Sequence, residues 1–303
     1  MIESFQEINA HYPWFFALWA GLMGACVGSF LNVCIYRIPK GESVVHPGSH
    51  CGCGKPIAWH DNIPVLSWFI LRGRARCCGR TFSFRYPAIE LLTAALFLAC
   101  WFLFPPGKAF AGAVLCAIVV CALFIDHDHM IIPDVFTVGG AAAGLVLSLA
   151  IPSLHGQVHD IFVVASVRSG LDAILGLFIG SALVLWVALF AEAVLKKEAM
   201  GFGDVKYLGA LGTFVGWPGA VFSLFGGAIL GCIWFLAAYA WQRATGKTSV
   251  VLPAENAEGE PAPLGLGVHV PFGPMLGLAA LIYFFWAHKP VDHYLLVELR
   301  ELF

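Results

Sequence analysis

The chain has 303 residues, of which 59% are hydrophobic and only 12% charged; its mean hydropathy is +0.82 and its formal net charge is -2. That leaves too little polar surface for a soluble domain of this length and implies a polytopic membrane protein. No nucleic-acid partner is expected. No short cleavable signal is expected either, because the first ten residues carry Glu3 and Glu7 and no Lys or Arg.

In chain order, Trp14 to Tyr36 is apolar for about one bilayer thickness, roughly 20 residues being needed to span. It ends at Arg37-Ile38-Pro39-Lys40. Residues 40 to 85 are polar, with Gly, Pro, His and Cys among short apolar pieces, and read as a small soluble insertion. Further apolar runs are Pro87 to Phe104, closed by Pro105-Pro106-Gly107, then Ala109 to Ile125 and Val135 to Ile151. A polar stretch through His159 and Arg168 precedes Leu171 to Leu195. Tyr207 to Trp217 and Ala220 to Trp241 come next, then a loop from Gln242 to Val268, and finally Pro271 to Trp286. The expected fold is therefore an all-α polytopic membrane protein of about eight transmembrane helices. Its parts are a first helix (1–39), the insertion (40–85) and a main transmembrane domain (86–303).

Lys and Arg set the orientation. With the insertion in the cytoplasm, Arg37, Lys40, Lys55, Arg72, Arg74, Arg76, Arg80 and Arg85 are inside. Parity through eight helices adds Lys196, Lys197, Lys206, Arg243 and Lys247, leaving Lys108, Arg168, Lys289 and Arg300 outside. The positive-inside rule selects this arrangement. It also places Asp126 and Asp204 at cytoplasmic helix ends, although neither entered the count.

An ionisable side chain at the edge of a membrane-length apolar run is costly, so Asp126 and Asp204 read as functional and as partners. Two close carboxyls in a poorly solvated place do not both ionise. The ionised one can take a proton from water attacking a peptide carbonyl, while the protonated one hydrogen-bonds the carbonyl oxygen. Asp204 lies in Gly201-Phe202-Gly203-Asp204-Val205-Lys206, where the glycines would permit unusual torsions and close approach of a substrate backbone. A glycine-rich helix start with an Asp is the structural alternative. Lys206 could stabilise an ionised Asp204 or meet lipid headgroups. Asp128 would point to a different face from Asp126, Asp134 reads as an N-cap, and His127 and His129 read as flanking loop. The 14 residues from Asp204 to Trp217 span roughly 21 Å. That is less than the roughly 30 Å hydrocarbon core, so Asp204 would be submerged if Trp217-Pro218 is at the outer interface.

Asp126 with Ile132-Pro133-Asp134, the Gly201 to Lys206 stretch and Pro271-Phe272-Gly273-Pro274 resemble signatures of the type IV prepilin peptidases. So do Gly28-Ser29-Phe30-Leu31-Asn32-Val33 with Tyr36-Arg37, Asp61-Asn62-Ile63-Pro64, Ser67-Trp68, and Arg85-Tyr86-Pro87 with Glu90-Leu91-Leu92-Thr93. The likeness runs from about Gly24 to about Leu278. It implies a bacterial inner-membrane aspartyl protease of the GxGD type, with Asp126 and Asp204 catalytic and Gly201, Gly203 and Lys206 supporting. Such enzymes cut the basic leader from prepilins and from pseudopilins of type II secretion. Many also methylate the new N-terminal amine with S-adenosylmethionine. No glycine-rich nucleotide loop comes after an expected strand here, so methylation rests on the resemblance.

Cys51, Cys53, Cys77 and Cys78 lie in the insertion with His46, His50 and His60 nearby. In a reducing cytoplasm they imply a metal rather than disulfides, and zinc fits best. Adjacent Cys77 and Cys78 would tend to point apart, with His50 the natural substitute ligand. Many family members carry two CxxC pairs, and this chain departs from that with Cys-x-Cys and Cys-Cys. The remaining cysteines, in apolar helices, read as packing residues. Two other functions compete: a proton- or cation-coupled transporter, which should show internal repeats with paired broken helices, and a non-catalytic scaffold of a secretion machine.

Overall fold

The computed structural model describes residues 11–196, 200–245 and 271–295. Helix α1, Pro13–Arg37, opens on a proline already set for a helical φ and passes into a short 3₁₀ turn, Ile38–Lys40, ended by Gly41 in the left-handed region. The insertion comes next, carrying one short helix, α2, Leu66–Ile70. Then come α3, Arg85–Leu103, α4, Pro106–His129, and α5, Asp134–Ala150. Pro105-Pro106 separates α3 from α4, and Pro133 separates α4 from α5, as proline's missing N–H requires. Helix α6 is Phe162–Leu195 and α7 is Phe202–Thr245. Helix α8, Gly273–Ile282, continues through a π turn, Tyr283–Ala287, into α9, His288–His293. Among the described residues there is no strand.

The all-α membrane architecture is as expected. Five of these helices, α1, α3, α4, α6 and α7, are long and apolar enough to cross a membrane. Length and composition alone do not establish the expected count of eight: α5 is apolar but has only 17 residues, and the expected spans Tyr207 to Trp217 and Ala220 to Trp241 fall on the two parts of the one element α7. Helix α6 starts at Phe162, so the polar stretch around Arg168 is helical, and α7 runs through Gln242 to Thr245; the rest of the expected loop lies outside the described residues.

Helix α7 doubles back. Gly216, with φ 68° and ψ 179°, breaks it in a conformation that suits only glycine. A Cβ placed on Gly180 of α6 would meet Leu208 O at 2.7 Å and Ala220 Cβ at 3.4 Å. In a straight helix those two residues would be about 18 Å apart. Two arms, 202–215 and 217–245, therefore lie side by side. The break is covered by His155, at the end of the 3₁₀ turn Pro152–His155: its Nε2–H donates to Thr213 O at 3.1 Å, where Ser148 Oγ also donates.

In lipid, apolar burial does not by itself drive helices together, so close packing must. Gly24 and Gly28, one turn apart on α1, serve this: a Cβ on either would lie 2.7 Å from the Cα of Ala94 or Glu90 on α3. The main core joins α4, α7 and α8 through Leu115, Val119, Leu208, Leu211, Phe214 and Leu276. Outward, Leu18, Trp19, Trp186, Phe190, Ile229 and Ile233 are exposed, a pattern made for lipid rather than water.

Candidate active site and candidate metal centre

Asp126 occupies the last turn of α4. Its carbonyl accepts the N–H of Met130, which ends the helix in the left-handed region at φ 55°, and the chain then turns through Ile131-Ile132-Pro133 into α5. Asp126 is 5% exposed, and its Oδ2 has no hydrogen-bond partner among the described residues. Asp204 is half-buried in the first turn of α7. Ile132 joins the two segments. It is 3.7 Å from a Cβ placed on Gly203, while a Cβ placed on Gly273, at the start of α8, would be 2.7 Å from both Ile132 Cδ1 and Asp126 Oδ2. Tyr207, a fully buried residue, lies one turn beyond Asp204 on α7. The Tyr207 hydroxyl likewise lacks a partner among the described residues and faces Gly277. Buried unpaired polar atoms are costly, and native proteins keep them where a polar substrate or water is to bind.

The two glycines before Asp204 depart from expectation. Neither has a positive φ, so no unusual torsion is needed. A Cβ on Gly201 would meet nothing closer than 3.9 Å, and Gly201 is exposed. Packing among the described residues does not demand glycine there.

Neighbouring charged residues are paired elsewhere. Asp128 forms an ion pair with Arg85 at 2.6 Å and accepts from His127 Nδ1 at 3.1 Å, on a different side from Asp126. Asp134 is not the N-cap of α5, a position taken by Pro133; it is the first helical residue and bonds Thr137 Oγ1 and Lys206 Nζ. Lys206 thus ties the start of α7 to the start of α5 instead of meeting Asp204. His129 is exposed at the end of α4. Gly273, Ile132 and Tyr207 escaped the residue-level reading. Their signals were the Pro271-Phe272-Gly273-Pro274 motif and the i, i+3 spacing of Tyr207 from Asp204.

In the insertion, Cys51 Sγ lies 3.5 Å from Cys78 Sγ and Cys53 Sγ 3.4 Å from Cys77 Sγ, and all four sulfurs fall within 4.8 Å of one another. A tetrahedral zinc with bonds of about 2.3 Å would set its sulfurs about 3.8 Å apart, so the set fits. Cys77 and Cys78 both converge, contrary to the expectation that one would point away, and His50 bonds Gly48 O instead. Tight loops make this possible: Gly54, at φ 83°, returns its N–H to Cys51 O, and Gly79, at φ 68°, returns its own to Ala75 O. The Lys55 backbone N–H, and then Cys77, bring the Cys53 thiol down to about 7, while hydrogen bonds from Cys53 and Cys51 push Cys77 up to about 12. Four thiols in such mutual contact share protons that a metal ion would displace.

Residues 22–104 match the bacterial peptidase A24 N-terminal domain, and residues 113–236 match the type IV leader peptidase family. The prepilin leader peptidase/N-methyltransferase of Myxococcus xanthus is 38% identical over 263 residues, covering 85% of this chain and 72% of its own length. The protein of the same name from Klebsiella pneumoniae is 36% identical over 225 residues, 71% of this chain and 92% of the relative. That from Aeromonas hydrophila is 33% identical over 316 residues, 95% and 97% of the two chains. No solved structure matches. With both halves of the chain matched and relatives aligned over most of their length, the chain belongs to the type IV leader peptidase family.

Proposed function

We propose that this chain is a membrane-embedded aspartyl endopeptidase that removes the basic leader from type IV prepilins or type II secretion pseudopilins and N-methylates the new N-terminal residue. The observation that carries it is the buried Asp126, with an unpartnered oxygen, at the meeting of α4, α7 and α8 in a chain of this family. Asp126 and Asp204 are the proposed catalytic pair. The ionised carboxylate takes a proton from water as the water oxygen bonds to the scissile carbonyl carbon, and the protonated carboxyl hydrogen-bonds the carbonyl oxygen. Breaking the C–N bond then transfers a proton to the leaving nitrogen and frees the new amine. Gly201 and Gly203 leave room for the substrate backbone, and Lys206 supports the site by anchoring α7 to Asp134.

The insertion is the proposed methyltransferase-associated part. Cys51, Cys53, Cys77 and Cys78 would hold one structural zinc ion, which supplies the fixed centre around which two short loops fold. S-adenosylmethionine is the proposed methyl donor, on the strength of the relatives' activity. The positive-inside count supports an inner-membrane protein with the site facing the cytoplasm, and the Arg85–Asp128 pair supports placing insertion and aspartates at the same end of the bundle. The transporter reading finds no support among the relatives.

The test is purified protein incubated with a prepilin, with and without the methyl donor. Leader release without the donor, and a methyl mass increment with it, are expected. An intact prepilin in both reactions would overturn the reading.

A further inference from the structure

Glu90 is a buried carboxylate that neither the aspartate pair nor the cysteine site uses. It lies on α3 at its tightest crossing with α1, where a Cβ on Gly28 would come within 2.7 Å of the Glu90 Cα. A carboxyl group inside an apolar bundle is costly, so it needs a reason to be there. Its Oε2 accepts the backbone N–H of Val65, from the insertion, at 2.6 Å.

Val65 is a strained point of the insertion's backbone. Its φ is 64° and ψ -55°, and the Leu66 N–H reaches back to Pro64 O at 2.6 Å. That i to i+2 bond with those torsions makes a γ-turn of the rare, strained hand. A β-branched residue is among the worst occupants of positive φ. Strain of this kind persists only where the surroundings over-determine it. Here the Glu90 carboxylate holds the central N–H from outside the turn.

The turn aims the chain beyond it. Helix α2 starts at Leu66, and its Trp68 donates Nε1–H to Phe82 O at 3.2 Å, rests on Gly73 and stacks edge-on against Phe84. The Phe82 N–H returns to Gly73 O at 2.9 Å, closing the loop that contains Cys77 and Cys78. Asp61, just before the turn, holds Arg76 through two oxygens. One carboxylate on a membrane helix thus contacts the turn that leads into α2, and α2 contacts the loop that carries two of the four sulfurs.

We propose that Glu90 is a positioning residue: it latches the strained Val65 turn and thereby seats the cysteine insertion on the membrane bundle in the geometry methyl transfer needs. The second half of this inference rests on the insertion's methyltransferase role. The latch itself does not.

The experiment uses full-length, zinc-loaded protein in bilayers and compares wild type, Glu90→Ala, Glu90→Gln, Val65→Gly and the double variant Glu90→Ala with Val65→Gly. Amide exchange in residues 59–82, kcat and KM for methylation of a pre-cleaved pilin peptide, and leader cleavage are measured. Glu90→Ala should speed exchange and lower the methylation kcat by about tenfold, the scale set by losing a hydrogen bond to a charged group. Cleavage should stay within about twofold, because both aspartates lie on other segments. Glu90→Gln should retain methylation, since its side-chain carbonyl still accepts the Val65 N–H. Val65→Gly should rescue Glu90→Ala, since glycine takes positive φ without a clamp. Unchanged exchange in Glu90→Ala, or a double variant no better than Glu90→Ala, overturns the latch; so does an unstable Glu90→Ala that Val65→Gly fails to restore. A wild type that cleaves but does not methylate would instead sink the methyltransferase reading, with the exchange data still deciding the latch.

Discussion

The insertion and the helical bundle are ordered by different physics. In the bundle, Leu115, Leu208, Tyr207 and Leu276 have no measurable exposure, and the helices approach closely wherever small residues allow. In the insertion, Val45, Trp59 and Ile70 are each more than 60% exposed, and order comes from hydrogen bonds, the Asp61–Arg76 pair and four converging thiols. The bundle carries its order in close helix packing spread over many residues. The insertion, with little apolar core, depends on a few directional contacts, and a metal ion would be the strongest of them.

The sharpest break between the regions is chemical. Asp126→Asn or Asp204→Asn should each reduce leader cleavage by about 10³-fold or more, while methylation of a pre-cleaved peptide and helical content are kept. Asn preserves size and hydrogen bonding but cannot accept the proton. Substantial cleavage by either variant, measured on purified protein, would remove that residue from the pair, whereas Asp128→Asn should remain active.

Removing the metal attacks the other region. Chelation, or Ser at any one of Cys51, Cys53, Cys77 and Cys78, should unfold the insertion and abolish methylation, with cleavage weakened less. Elemental analysis of active wild type should give about one zinc per chain, the content of a single closed four-thiolate site. A value near zero would end the proposal.

A smaller effect is expected where packing and chemistry meet. Gly273→Ala places a methyl 2.7 Å from Asp126 Oδ2, so the carboxyl must move. Displacement on that scale should lower cleavage by about 10- to 100-fold without changing zinc content. Equal cleavage rates would show that α8 does not position Asp126.

The least functional effect should come from His155, at the opposite end of the bundle. Burial pushes its imidazole down to about 4, from an ordinary value of 6.5. Between those values the unfolded chain binds a proton that the folded chain does not, so stability is complete above pH 6.5 and declines as pH falls toward 4. The loss should reach about 3 kcal/mol. Thermal melts across this window should show it, and His155→Gln should flatten the pH dependence while leaving cleavage near neutrality unchanged.

Much of this was legible in the residues. Asp126 and Asp204 stood out because charge is scarce at the ends of apolar runs, and the cysteines stood out by compartment chemistry. Asp134 misled because its position after Pro133 mimics a cap, when the proline itself holds that place. Lys206 was ambiguous because its partner is 72 residues away.

What the sequence by itself determined is the all-α membrane class and the kind of environment its apolar runs require. In lipid every backbone polar group must be satisfied within its own segment, so a run of about 20 apolar residues is a sufficient local instruction. Only the tertiary structure decided that Gly273 lies against Asp126, that α7 folds back at Gly216 beneath His155, that adjacent Cys77 and Cys78 both turn inward, and that Glu90 bonds the N–H of Val65 in a strained turn. Each of these joins segments far apart in the chain. Which of many apolar faces meet is set by where small residues let backbones approach, and that selection exists only once the helices are assembled.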